Sequence, residues 1–315
     1  MENLFINPRV VCCELYELDH PLLRLNDVKN QKLRWEAIAG TVGVGSRTLD
    51  ERFQEGDRVV GLRSWVPCHE SATVCALFKP VAVNEYAFVH IPPEVNPADA
   101  AACLCPGLQV CTALQSLPRL GLHSALVVCH GDVNCAAIAA QLALAEGIQI
   151  ASNVTALAPD ANCLLFDRYS VDKVADKCLD LTKGCGVDIV FDLVTPGLCD
   201  NSRCDFYKAA DLISAISVNG HYITSRYDLE LDDVEMKMLF LKSASIRFVF
   251  EQSWLLAPLR VGQCLDLMTS VMEKLRHKQL RPVISAQISL ESTSEEPLMK
   301  YFSRDKTDGV TIFKA

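Results

Sequence analysis

The chain lacks any apolar run approaching the roughly 18 residues that a membrane-spanning helix needs, although 50% of its 315 residues are hydrophobic. It also lacks a basic leader followed by an apolar block. The opening "MENLFINPRVVCCELYELDH" carries acids and a proline instead, so no secretion signal is expected. No Lys/Arg cluster offsets its acidic balance. With 30 basic against 39 acidic residues the formal net charge is −9, which argues against direct contact with a nucleic-acid backbone. No C-x-x-C occurs among the 15 cysteines. The close pairs Cys12–Cys13, Cys103–Cys105 and Cys199–Cys204 do not have finger-type zinc spacing. An odd cysteine count without a secretion signal points to reduced thiols and a cytoplasmic location. Most thiols sit in apolar segments such as "AACLCPGLQVC", where free cysteine behaves as a small buried hydrophobe. Internal repeats and low-complexity linkers are missing as well.

What is present is enough chain for a large core, in two domains or one domain with an insertion. The first ~95 residues read as β-rich. "AIAGTVGVGSRTLDERFQEGDRVVGL" has strand, turn, strand character, and "NEYAFVHIPP" is a strand stopped by Pro92 and Pro93. "NPADAAACLCPGLQVCTALQSL" reads as helix, with Asn96 as its cap, Pro97 in its first turn and Asp99 complementing the dipole. From Ser124 the pattern becomes strand–helix alternation. Strands are expected at Ala125–Cys129, Ile148–Ser152, Cys163–Phe166, Val187–Asp192, His221–Thr224 and Ser245–Phe250. They are short and mostly continuously apolar, as in a parallel sheet covered on both faces. Helices are expected over Val171–Thr182 and Phe206–Ser214, and a long amphipathic helix ends near Pro282. The pieces "ISAQISL" and "GVTIFKA" then return to the β-rich part. The acids of "YDLELDDVEMKM" read as a solvated helix start, or as a surface for a basic partner. The fold class is α/β: a Rossmann-type doubly wound parallel sheet plus a β-rich domain. The expected boundaries are 1–96, 97–250 and 251–315.

This layout, with "WEAIAGTVGVGS…FQEGDRVVGL", "NEYAFVHIPPEVNPADAAACLCPGLQVCTAL", "GVDIVFDLV" and "SVNGHYIT", resembles the medium-chain dehydrogenase/reductase superfamily, in particular its zinc-free quinone oxidoreductase-like branch. The resemblance implies a GroES-like β-rich domain, here N-terminally shortened by about thirty residues against the family pattern, joined to a cofactor domain. It implies NADPH-dependent, zinc-independent quinone or enone reduction. Zinc-dependent relatives have a histidine beside the glutamate that is Glu36 here, where this chain has Trp35, and no four-cysteine lobe exists. No zinc is therefore expected. It implies cofactor contacts at Asn219 and Gly220, and a homodimer through Ser245–Phe250. Proteins of this type have also been linked to a multi-subunit early-endosomal adaptor that carries mRNA, which implies protein partners and a peripheral place on endosomes.

The cofactor loop departs from that pattern. The turn in "VVCHGDVNCAAIAAQLALAEG" has one glycine, Gly131. Glycines serve such a turn because they let backbone approach a pyrophosphate and helix approach strand. Aligned through Gln141, the family's A-x-x-G-x-x-G places its alanine on Gly131 and its glycines on Asn134 and Ala136. A further common glycine falls on Val133, which is stiff and unsuited to positive φ. Asp132 brings a carboxylate toward an anionic ligand, a cost of about 1 kcal/mol or more at an effective dielectric near 20. A plainer reading makes Asp132 and Asn134 N-cap residues of a helix beginning near Cys135; the two readings can overlap.

The acid that holds an NAD ribose is expected at the end of the second strand. The chain there reads Ile150, Ala151, Ser152, Asn153, with no acid, and "SNVTALAPDANCLL" has neither arginine nor lysine. Ser152 and Asn153 remain as weak ribose or phosphate contacts. The link to the third strand is too short for a full crossover with its helix, which needs at least ~10–12 residues. A reduced or lost helix there would bare an apolar sheet face to a partner.

No residue stands out for catalysis. Hydride transfer asks the protein mainly to hold nicotinamide against substrate. Tyr16 and Asp19 in "CCELYELDH" lie nearest by resemblance, and a plain acidic surface segment is the simpler reading. His20 and His130 have no spaced partner and read as surface or loop histidines. The sequence thus points to a reductase fold with no or weak NADPH binding, used as a binding or assembly subunit, and alternatively to an active NADPH-dependent reductase.

Overall fold

The computed structural model describes residues 4–17, 32–43, 52–67, 81–115, 123–129, 133–154, 163–165, 174–193, 207–226, 229–254, 257–289 and 310–314. Asp19, His20, His130, Gly131, Asp132 and the 155–162 segment, all singled out above, lie outside these residues. The strands are β1 (Leu4–Glu17), β2 (Lys32–Val42), β3 (Arg58–Pro67), β4 (Val81–Val83), β5 (Phe88–His90), β6 (Ser124–Cys129), β7 (Gln149–Ser152), β8 (Cys163–Leu165), β9 (Val187–Leu193), β10 (Ile216–Thr224), β11 (Ser245–Phe248), β12 (Ile284–Ser289) and β13 (Val310–Lys314). The helices are α1 (Pro97–Gln115), α2 (Val133–Ala145), α3 (Val174–Leu181), α4 (Ala209–Ser214), α5 (Asp233–Leu241) and α6 (Val261–Arg276).

The chain divides into two compact units, Met1–Leu108 with Gln252–Ala315, and Gln109–Glu251. The first holds a seven-stranded sheet in the order β12-β13-β1-β2-β3-β5, with β4 paired to β1. Its longest pairing is antiparallel, from Ile6 opposite Val42 to Glu17 opposite Lys32. Gly61 in β3 is required by close approach. A Cβ there would lie 2.2 Å from the Ala87 carbonyl oxygen and 2.4 Å from the Phe88 ring. Helix α6 buries Cys264, Leu267, Met268, Val271, Met272 and Leu275, a spacing of three and four that lines one face of a helix. Asn96 Oδ1 accepts from Ala98 N at 2.9 Å at the start of α1, the capping contact its residue type favours.

The second unit is a six-stranded parallel sheet in the order β11-β10-β9-β6-β7-β8. All six strands expected after Ser124 are in it. Because β6 lies between β9 and β7, the winding direction reverses at β6. Leu126, Val128, Ala151, Val190 and Tyr222 pack with Val174 and Cys178 of α3, Leu212 and Ile213 of α4, and Leu239 of α5. Helix α2 lies against β6, β7 and β9. Its small residues Ala136, Ala137, Ala139, Ala140 and Ala143 are buried, and their size lets helix and sheet approach closely.

Asp188 ties the starting edge of this sheet together. Its Oδ2 accepts from His123 N (2.8 Å), Ser124 N (3.0 Å) and Ser124 Oγ (3.1 Å), and its Oδ1 from Ser217 Oγ (3.3 Å). Lys242 Nζ donates to the carbonyls of Ile213 (3.1 Å), Ser214 (2.8 Å) and Ile216 (2.7 Å). It thereby satisfies the open end of α4, and burial holds its pKa below the usual lysine value. The acidic run resolves as a capping box. Asp232 Oδ1 accepts from Val234 N and Glu235 N, and Glu235 Oε2 accepts from Asp232 N.

One expectation needs correcting. The helix after β6 starts at Val133, so Asn134 is a helical residue and not its cap; the helix reaches two residues further back than the Ala-rich pattern marks. Asn219 and Gly220 sit near the beginning of β10, where Asn219 takes φ +61° and the register slips between Ile216 and His221. A Cβ on Gly220 would come 2.4 Å from Ile216 Cγ2. This pair makes a left-handed kink at the opposite edge from the strand C-termini, because Asn and Gly tolerate positive φ.

Candidate functional site at the strand C-termini

In open α/β sheets, ligands bind outside the C-terminal ends of the strands where the strand order reverses. Here that place is the end of β6 with its neighbours β9 and β7. In register, Val128 of β6 faces Asp192 of β9, Asp192 faces Thr224 of β10, and Val127 faces Ser152 of β7.

Asp192 is fully buried. Its Oδ2 accepts from Tyr222 Oη at 2.5 Å and from Thr224 Oγ1 at 3.3 Å. Thr224 Oγ1 in turn accepts from Arg226 N at 3.0 Å. Burial pushes the Tyr222 phenol well above its ordinary pKa, and the Asp192 charge and hydrogen bond push the same way. The sequence signal was an acid inside the apolar strand "VDIVFDL", which sequence reading passed over.

At the end of β7 both polar side chains turn into the chain. Ser152 is fully buried; its hydroxyl donates to Val127 O (3.0 Å) and accepts from Val154 N (3.2 Å). Asn153 is 4% exposed, and its Nδ2 donates to Tyr207 Oη at 3.4 Å. Tyr207, just ahead of α4, is itself 3% exposed. Asn134 and Ala136 are both buried in the first turns of α2. Gly131 and Asp132 lie outside the described residues. Tyr16 is placed only by its backbone, opposite Leu33 in β1, and Asp19 is not described.

The structure therefore brings Asn134, Ala136, Ser152 and Asn153 to one edge of the second unit, and leaves Asn219 and Gly220 at the other. Among the described residues the end of β7, Ser152 to Val154, offers no carboxylate for a ribose hydroxyl and no cation for a ribose phosphate. On that ground the described residues there do not supply the charged contacts by which this fold holds the adenosine end of a nicotinamide dinucleotide. Among the described residues no group of three or more His, Cys, Asp or Glu side chains gathers to hold a metal ion.

The fold is that of the medium-chain dehydrogenases/reductases. An alcohol dehydrogenase superfamily protein from Novosphingobium aromaticivorans superposes with a TM-score of 0.67 at 17% identity, over 98% of this chain and 92% of that one. A putative NADPH:quinone reductase from Bacillus thuringiensis gives 0.67 at 16% identity, over 100% and 92%. In sequence, quinone oxidoreductase-like protein 1 of Mus musculus is 30% identical over 329 residues, covering 97% of this chain and 90% of the mouse protein. The chain belongs to the quinone oxidoreductase-like protein 1 family. No protein-family model matches it.

Proposed function

We propose that this chain is a quinone oxidoreductase-like protein kept as a binding or assembly subunit, with no or weak NADPH binding and no zinc. The observation that carries this reading is the end of β7, where Ser152 and Asn153 are bonded inward to Val127 and Tyr207. Asn134 and Ala136 support it, since they stand where the family pattern has glycines for close approach to a pyrophosphate. The reading extends to protein partners in a cytoplasmic complex peripheral to endosomes, an adaptor that carries mRNA, with this subunit making no direct nucleic-acid contact. The net charge of −9 supports the last point. No described helix is long and apolar enough to cross a membrane.

Thermal unfolding with millimolar NADPH tests the reading. A ligand at a hundred times its Kd stabilises by about 2.7 kcal/mol, a rise of several degrees for a chain of this length. The expected result is no rise, and no NADPH oxidation with a panel of quinones. A rise with turnover establishes the second reading, an NADPH-dependent, zinc-independent quinone or enone reductase. Family membership favours that reading, as does the likeness to a protein named NADPH:quinone reductase.

A homodimer through β11 is also part of the proposal. β11 ends the sheet, and Phe240, Leu241 and Phe248 beside it are exposed, Phe240 to 81%. Large apolar side chains next to an open strand edge favour pairing with a second copy. Light scattering is expected to give twice the 34.7 kDa chain mass, and Arg247→Pro within β11, which removes a backbone donor, is expected to return the monomer.

A further inference from the structure

We propose that Tyr207 and Asn153 close the adenosine end of the strand C-termini, so that Tyr207 decides whether a nucleotide base can enter this edge. The inference deepens the reading above and rests on it for the class of ligand excluded.

The argument is topological. Asn153 directly follows β7, and Tyr207 lies in the connection between β9 and α4. β7 and β9 are the two strands that flank β6. The hydrogen bond from Asn153 Nδ2 to Tyr207 Oη therefore joins the segments on either side of the strand where the winding reverses. That is where an open α/β sheet offers its crevice. The two side chains are almost wholly buried, and Tyr207 belongs to the same buried cluster as Leu126 and Val128 of β6 and Ala151 of β7. On this proposal the buried Tyr207 ring takes the space that a planar base would need. The contact also holds the Asn153 amide inward, at the position that reads a ribose in this fold.

Removing the ring should reopen the space. A cavity of ring size lined by apolar side chains stays open and takes ring-sized ligands. Tyr207→Ala is expected to bind adenosine 5′-monophosphate at least about tenfold more tightly than the unaltered chain, read by titration calorimetry and by thermal unfolding of the full chain. Tyr207→Leu, which loses less packing, is expected to show a smaller gain and serves where the alanine variant does not unfold cooperatively. The nucleotide binding the unaltered chain as tightly as either variant overturns the proposal. So does a folded variant that gains nothing. Equilibrium dialysis of the unaltered chain supplies a further arm: retention of the nucleotide at about 1 mM or below overturns closure even if neither variant folds, and no retention supports it. NADPH oxidation by a chain that fails to take the monophosphate would sink the binding-subunit reading and leave the closure standing.

Discussion

Raising the pH from about 8.5 to about 10.5 is expected to lower the unfolding free energy by several kcal/mol. The cause is the buried thiols. Burial pushes Cys178 from 9.0 up to about 12 and Cys264 up to about 11. It also pushes Cys103 well above its ordinary value, with the Asp99 charge acting in the same direction. In the unfolded chain these thiols ionise near pH 9, while in the folded chain they stay protonated. Above that pH the folded state binds more protons, so stability falls as pH rises. The contribution is fully present below the unfolded pKa and is lost between it and the folded one. Cys178 and Cys264 each cost about 1.4 kcal/mol per pH unit inside that window, or roughly 2 kcal/mol by pH 10.5, and Cys103 acts in the same direction. Tyr222 adds a like effect above about pH 10, its pKa being raised by burial first and by Asp192 second. Lys242 has a lowered pKa and acts with the opposite sign, a partial offset. Against a total stability of about 5–15 kcal/mol, three thiols are a large fraction. Urea midpoints measured across the range check this; a flat midpoint contradicts it. Cys178→Ala should flatten the slope by the share of one thiol.

Asp192→Ala is expected to cost about 3–5 kcal/mol, in the range for removing one partner from a buried charged network. The substitution takes the acceptor from two fully buried hydroxyls, those of Tyr222 and Thr224. Neither hydroxyl can turn to water, so each bears a desolvation cost of about 1–3 kcal/mol. Asp192→Asn keeps an acceptor oxygen and should lose less. Tyr222→Phe removes one donor and leaves Thr224 and the carboxylate paired, for about 1.5–3 kcal/mol. The order expected from denaturant midpoints is alanine worst, then phenylalanine or asparagine. An Asp192→Ala chain as stable as the original would show that the network adds nothing to the fold.

Much of the second unit was legible because burial on both faces leaves a plain mark. Segments such as "ALVVC" and "DIVFDL" are too apolar and too short for anything but inner strands. Asn96 before Pro97 announced a helix start that depends only on neighbouring residues. The site was less readable because its geometry depends on distant residues. Asn153 looked free to meet a ribose until Tyr207, far along the chain, was found holding it. Asn134 looked like a cap because residues that favour the cap position also occur in the first turn, and a shift of one or two residues in a helix start leaves no mark in composition. Asn219–Gly220 is a turn dipeptide, yet its setting inside "SVNGHYIT" drew it toward a ligand role. The kink appears only once Ile216 and His221 are seen to pair three residues out of step with β9.

The pairing of β1 with β13, Val10 opposite Lys314, carries a consequence for synthesis on the ribosome. The Gln109–Glu251 unit is continuous and can fold as soon as it emerges. The other unit waits with an unzipped β1 margin while about 300 further residues are made, on the order of 15–60 s at 5–20 residues per second. During that interval the nascent chain presents an unpaired strand margin at Val10–Cys12 to its surroundings, so its yield in a cell should depend on chaperones that shield growing chains.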